Sequence, residues 1–93
     1  MFSRSDYVMR LVKQLADVIA RSLKLRVEGQ REESKQVLVE ACGEMFGVEH
    51  RVLEMLDATS AAELLGEWSR VDAYARLLEA MGDFERATAL RNA

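Results

Sequence analysis

Two stretches, SLKLRVEGQREES at residues 22–34 and ARLLEAMGDFERA at residues 75–87, decide how this chain folds. Each sets a small residue seven places before a glycine and another five places after it. These are Ser22, Gly29 and Ser34 in the first, and Ala75, Gly82 and Ala87 in the second. Glycine tolerates the left-handed conformation that ends a helix. Helical periodicity resumes one or two residues later, so the two helices must fold back as an antiparallel hairpin. Small residues on the facing sides let the helices approach closely. The pattern predicts a helical hairpin near each end of the chain, with Gly29 and Gly82 at the turns and Ala87 at a close crossing.

Working outward, residues 5–28 read as one long helix. Val8, Leu11, Val12, Leu15, Ile19 and Leu23 form its apolar side, and Ser5 is the expected N-cap ahead of Asp6. Met9, Ala16, Val18, Ala20 and Val27 widen that side beyond the ~100° arc that one packed neighbour needs. The helix therefore sits centrally or lends a face to a partner. A second helix is expected over 31–46, closed by Gly47, with Ser34, Val37, Leu38, Ala41, Cys42 and Met45 inward. A short third covers 49–56, with Val52, Leu53 and Leu56 inward. Ser60 and Glu63 read as a capping box opening a fourth helix that runs to Met81, with Gly66 as the place where it breaks or kinks. A last helix over 84–91 carries Phe84, Ala87 and Leu90 on one side. The expected fold is all-α, about five antiparallel helices in one domain over residues 1–93.

Composition agrees with helix. Of 93 residues, 49% are apolar and 31% charged, and there is no proline. Net charge is 13 − 16 = −3, against the positive excess expected of a dedicated nucleic-acid binder. Residues 1–35 carry +3 and residues 36–93 carry −6, an asymmetry that solvated faces or head-to-tail pairing would each satisfy. The single cysteine, Cys42, cannot form an internal disulfide. No signal peptide or membrane span is legible, and the expected location is cytoplasmic.

Chemistry-bearing residues are sparse. His50 is the one histidine, and no metal-ligand spacing accompanies it. It reads as a partly exposed surface residue. Cys42 lies on an apolar side late in its helix, which suits a core position better than a nucleophile. The pairs Glu32/Glu33, Glu40/Glu44 and Glu63/Glu67 fit solvated helix faces. No phosphate loop or nucleophile motif is present. No cofactor, metal, catalytic residue or small-molecule substrate is therefore expected.

Gly82-x-Phe84-x-x-Ala87 resembles the turn of a tetratricopeptide repeat (TPR), in which an aromatic and an alanine follow the glycine. The Gly29 hairpin carries Arg31 where the aromatic would stand. The glycines are 53 residues apart, against about 34 in a regular array, so the resemblance implies degenerate TPR-like hairpins rather than a solenoid. The opening Asp6-Tyr7-Val8-Met9-Arg10-Leu11-Val12-Lys13-Gln14, together with Ala75-x-Leu77-Leu78 and the Gly29 turn, is similar to a family of small uncharacterised bacterial helical proteins. That resemblance implies a helical fold and a bacterial source, and carries over no catalytic residue.

Phe2, Tyr7, Met9, Phe46 and Trp68 have no obvious internal partner. The functional expectation is a non-enzymatic protein–protein interaction module, a homodimer or the holder of a partner helix. Its surface is assigned to Tyr7, Met9, Leu11, Val12, Leu15 and Trp68. The alternative is a nucleic-acid-binding helical bundle using Arg10, Lys13, Arg21 and Lys24 on the first helix. Asp17 and Glu28 interrupt that stripe, and no membrane role is expected of it.

Overall fold

A computed structural model describes residues 3–93. Phe2 lies outside the described residues. The described residues are all-helical, with six helices among them in order: α1 (Arg4–Val27), α2 (Arg31–Phe46), α3 (His50–Met55), α4 (Ala58–Leu65), α5 (Trp68–Met81) and α6 (Phe84–Arg91).

The count is six rather than five because Gly66 divides the expected fourth helix. Its φ of +88° lies where a residue with a Cβ is strained, and Glu67 restarts the chain in extended conformation before α5. Two helix starts also differ from expectation. Ser3, not Ser5, caps α1: its Oγ accepts from the Asp6 amide at 3.2 Å, and the Asp6 carboxylate accepts from the Ser3 amide at 3.1 Å. Asp57, not Ser60, caps α4, accepting from the Ser60 amide at 2.7 Å. A carboxylate one turn upstream is the stronger acceptor, and it begins the helix earlier.

The two hairpin turns are built alike. The Gln30 amide donates to the Leu25 carbonyl and the Gly29 amide to that of Arg26. Likewise Asp83 donates to Leu78 and Gly82 to Glu79. This pair of bonds is a Schellman motif, with the glycine left-handed at φ +82° and +92°. At the crossing of α1 and α2, Ser22 and Ser34 are both 1% exposed, and their hydroxyls lie 2.7 Å apart. Ser34 Oγ also donates to the Ser22 carbonyl at 2.8 Å. In the second hairpin the corresponding residues are Ala75 and Ala87, both fully buried.

Helix α5 is the hub, packing on α1, α2, α4 and α6. It buries Val71, Ala73, Tyr74, Ala75, Leu77 and Leu78, and the core closes over them with Leu38, Cys42, Leu53, Leu65 and Leu90. Phe46, expected to lack an internal partner, is only 5% exposed and packs edge-on against Tyr74. Phe84 goes the other way: it is 62% exposed, while Ala87 and Leu90 on the same helix are buried. Val52 and Leu23 are likewise exposed rather than inward.

Arginines tie the helix ends together. A helix leaves its last carbonyls without intrahelical partners and carries partial negative charge there, so a guanidinium is a fitting donor. Arg26 at the end of α1 donates to the Ala80 carbonyl of α5 at 2.6 Å. Arg70 donates to the Phe46 carbonyl that ends α2, and lies over the Phe46 ring. Arg86 of α6 donates to the carbonyls of Leu53 and Leu56 at the end of α3. Arg91 clamps α6 to α5 through Glu79 at 2.8 Å and Asp72 at 3.2 Å.

Candidate functional site: an apolar groove between the first and fifth helices

Helix α1 has 24 residues and α5 has 14, so α1 runs well beyond the helix it rests on. Between the two lies an open groove of about 490 Å³. From α1 it takes Val8, Leu11, Val12, Leu15, Ala16 and Ile19; from α5 it takes Trp68, Ala73 and the polar Ser69, Asp72 and Arg76. Its chemistry is that of an apolar trough with charge along one wall.

The six residues assigned to an interaction surface from sequence divide into two sets. Met9, Val12 and Trp68 are exposed, at 68%, 58% and 60%. Leu11 and Leu15 belong to the core, at 3% and 8% exposure, and form the closed floor of the groove. Tyr7 is half-buried against the core. The correction has a simple cause. Along one helix, periodicity groups residues into an arc but does not say which edge of the arc a neighbour covers. Here α5 and α2 cover the Leu11–Leu15 edge, and the Met9–Val12 edge stays open. Leu23 and Val27, at 50% and 87% exposure, continue the open edge to the end of α1. Periodicity alone places Leu23 on the core side and Val27 in the widening of the apolar arc.

The charged wall is internally neutralised. Asp72 accepts from Arg76 at 2.9 Å and from Arg91 at 3.2 Å. Burial pushes its carboxyl upward, but the hydrogen bonds from the two guanidinium groups outweigh this and hold it below the ordinary carboxylate range. The wall therefore presents fixed, paired charge rather than a free acid.

A second polar cluster runs from the interior to the surface. His50, expected at the surface, is 9% exposed. Its Nδ1 lies 2.9 Å from the Tyr74 hydroxyl and its Nε2 3.4 Å from the Glu54 carboxylate. One neutral tautomer satisfies both contacts: Nε2–H donates to Glu54 and Nδ1 accepts from Tyr74 O–H. Burial lowers the His50 pKa, partly offset by the Glu54 charge, and burial raises that of Tyr74. The Cys42 thiol is fully buried and pushed up to about 12, so it is not poised as a thiolate. The sequence gives little warning of this cluster, because His50 and Tyr74 are 24 residues apart and meet only in the tertiary fold.

Among the described residues there is no group of three or more His, Cys, Asp or Glu placed to hold a metal ion, and no helix long and apolar enough to cross a membrane. No family model, curated protein or solved structure matches the chain.

Proposed function

We propose that this protein is a non-enzymatic interaction module that associates with itself through the open side of α1 and the adjoining groove. The observation that carries the reading is a run of large apolar side chains held out to solvent on one helix. Met9, Val12, Leu23 and Val27 are each at least 50% exposed, with Trp68 at 60% beside them. An apolar patch of that continuity on a domain this small marks an association surface, and Trp is a frequent anchor in one. The two like-built hairpins, with small residues at both crossings, support treating them as degenerate TPR-like units whose first helices wall the groove. The alternative, a nucleic-acid surface on Arg10, Lys13, Arg21 and Lys24, gains no support from the placement of Asp17 on the same helix and Glu28 at its C-cap.

The test is solution mass by light scattering over a tenfold dilution, on the parent chain and on a Met9→Glu/Trp68→Glu variant. Both positions are exposed, so helicity by circular dichroism should be unchanged while the mass falls to that of a monomer. Tyr7 is left alone because it packs on the core. A parent chain that is monomeric throughout, or a variant that associates as before, refutes the reading.

A further inference from the structure

The open side of α1 has an internal order. Its apolar residues are Met9, Val12, Ala16, Ala20, Leu23 and Val27, spaced 3, 4, 4, 3 and 4. At 100° per residue all six fall within an arc of about 80°, and at 1.5 Å per residue they extend over about 27 Å. All six are exposed. The spacing repeats after eleven residues, a period of about 3.67 per turn that drifts by only about 20° per repeat on a straight helix and favours a slight right-handed supercoil.

The stripe also reads alike in both directions: two large residues, two alanines, two large residues. Reflected about position 18, Met9 falls on Val27 and Ala16 on Ala20. Val12 falls within one residue of Leu23. A two-fold interface needs a surface complementary to itself, whereas a surface for a different partner has no such requirement. The alanines at the middle permit the closest approach of two helix backbones, and the large residues interlock on either side.

We propose that two copies of the chain pair through α1, the helices antiparallel, with Ala16 of each copy opposite Ala20 of the other. This rests on the self-association proposed above and specifies its geometry. Antiparallel pairing sets long Met9 against short Val27 and short Val12 against long Leu23, so the gap between the helices has even width. Parallel pairing stacks Met9 on Met9 and Val12 on Val12, and the width becomes uneven. The antiparallel arrangement also aligns the helix dipoles favourably. It places Lys13 of one copy near Lys24 of the other at the rim, a repulsion that physiological salt screens. The exposed parts of the six residues amount to roughly 500 Å² per copy, or about 1,000 Å² for the pair, the lower edge of specific interfaces. The dimer should therefore be reversible, with a dissociation constant in about the micromolar range.

Two single-cysteine variants, Met9→Cys and Val27→Cys, test the geometry. The native Cys42 is fully buried and does not compete. Under mild oxidation, a mixture of the two should yield a disulfide between a Met9→Cys chain and a Val27→Cys chain, and Met9→Cys alone should yield none. A third variant, Ala20→Glu, keeps a good helix former at an exposed position and should weaken dimerisation at least roughly a hundredfold, because it puts a long charged side chain where the two helix backbones come closest. Crosslinking of Met9→Cys to itself means a parallel pair and overturns the proposal. A dimer by light scattering that forms neither crosslink and ignores Ala20→Glu also overturns it, while leaving self-association standing. A chain that stays monomeric overturns both.

Discussion

Replacing Ser34 by alanine removes both side-chain bonds at the α1–α2 crossing. Ser34 Oγ bonds the Ser22 hydroxyl at 2.7 Å and the Ser22 carbonyl at 2.8 Å, in a site where both serines are 1% exposed. The variant strands the Ser22 hydroxyl without water or partner, which costs about 1–3 kcal/mol. Alanine's better helix propensity returns about half a kcal/mol. The net loss should be about 1–2 kcal/mol, or roughly 5–15 °C in melting temperature for a domain of this size. Ser22→Ala should cost less, because the Ser34 hydroxyl keeps the Ser22 carbonyl as acceptor. The informative variant is the double, Ser22→Ala/Ser34→Ala. It recreates at the first crossing the Ala75/Ala87 pair that the second crossing already uses, and strands nothing. Its stability should return to within about 1 kcal/mol of the parent, since removing both partners of a buried bond is far cheaper than removing one. Urea unfolding of the four proteins, followed by circular dichroism with m-values held equal, gives the coupling energy directly. If the double variant loses as much as the two singles added together, the serines do not act as a pair and the account of the crossing is wrong.

Two further outcomes follow from the polar contacts. Arg86→Met keeps the aliphatic stem but removes the donor to the Leu53 and Leu56 carbonyls; it should destabilise by about 2–3 kcal/mol in urea unfolding, with Arg86→Lys in between, and a loss under about 0.5 kcal/mol would sink the idea of an α3 clamp. His50 has its folded pKa lowered below 6.5, chiefly by burial, so the unfolded chain takes up a proton first as the solution is acidified. Stability conferred by the neutral imidazole is thus fully present above pH 6.5 and declines as the pH falls from there toward the lower folded pKa; the decline should be smaller in His50→Gln, and equal slopes in the two proteins would show that His50 does not contribute.

What could be read from the sequence was what depends on neighbours in the chain. The hairpin turns follow from Gly29 and Gly82 and from the small residues placed around them, all within thirteen positions. The helical class follows from period and composition. What could not be read was what distant segments do to one another. Leu11 and Leu15 were indistinguishable from Met9 and Val12 as members of one apolar arc, until α5 and α2 covered one edge and left the other. Phe46 and His50 looked unpartnered because their partner, Tyr74, arrives from another helix. Nothing in a helical period signals that the guanidinium groups of Arg26, Arg70 and Arg86 will reach the carbonyl end of a different helix. Phe84 is the opposite case: it stands where the resemblance to a tetratricopeptide turn places an aromatic, yet it is 62% exposed.

The distribution of burial bears on why the open stripe exists. Helix α5 buries six of its 14 residues, whereas α1 buries only Leu11, Leu15 and Ser22 of its 24. The α1 attachment is reinforced at its far end by polar means, the serine pair to α2 and the Arg26 bond to α5, not by more apolar packing. Nothing in the fold of one copy calls for apolar residues at 9, 12, 23 and 27: each is at least 50% exposed, and a polar helix former there would serve a monomer as well or better. A sequence shaped only by the stability of the single chain would lose such a stripe. Its extent and its symmetry about position 18 are the features that the proposed pairing of two copies would account for.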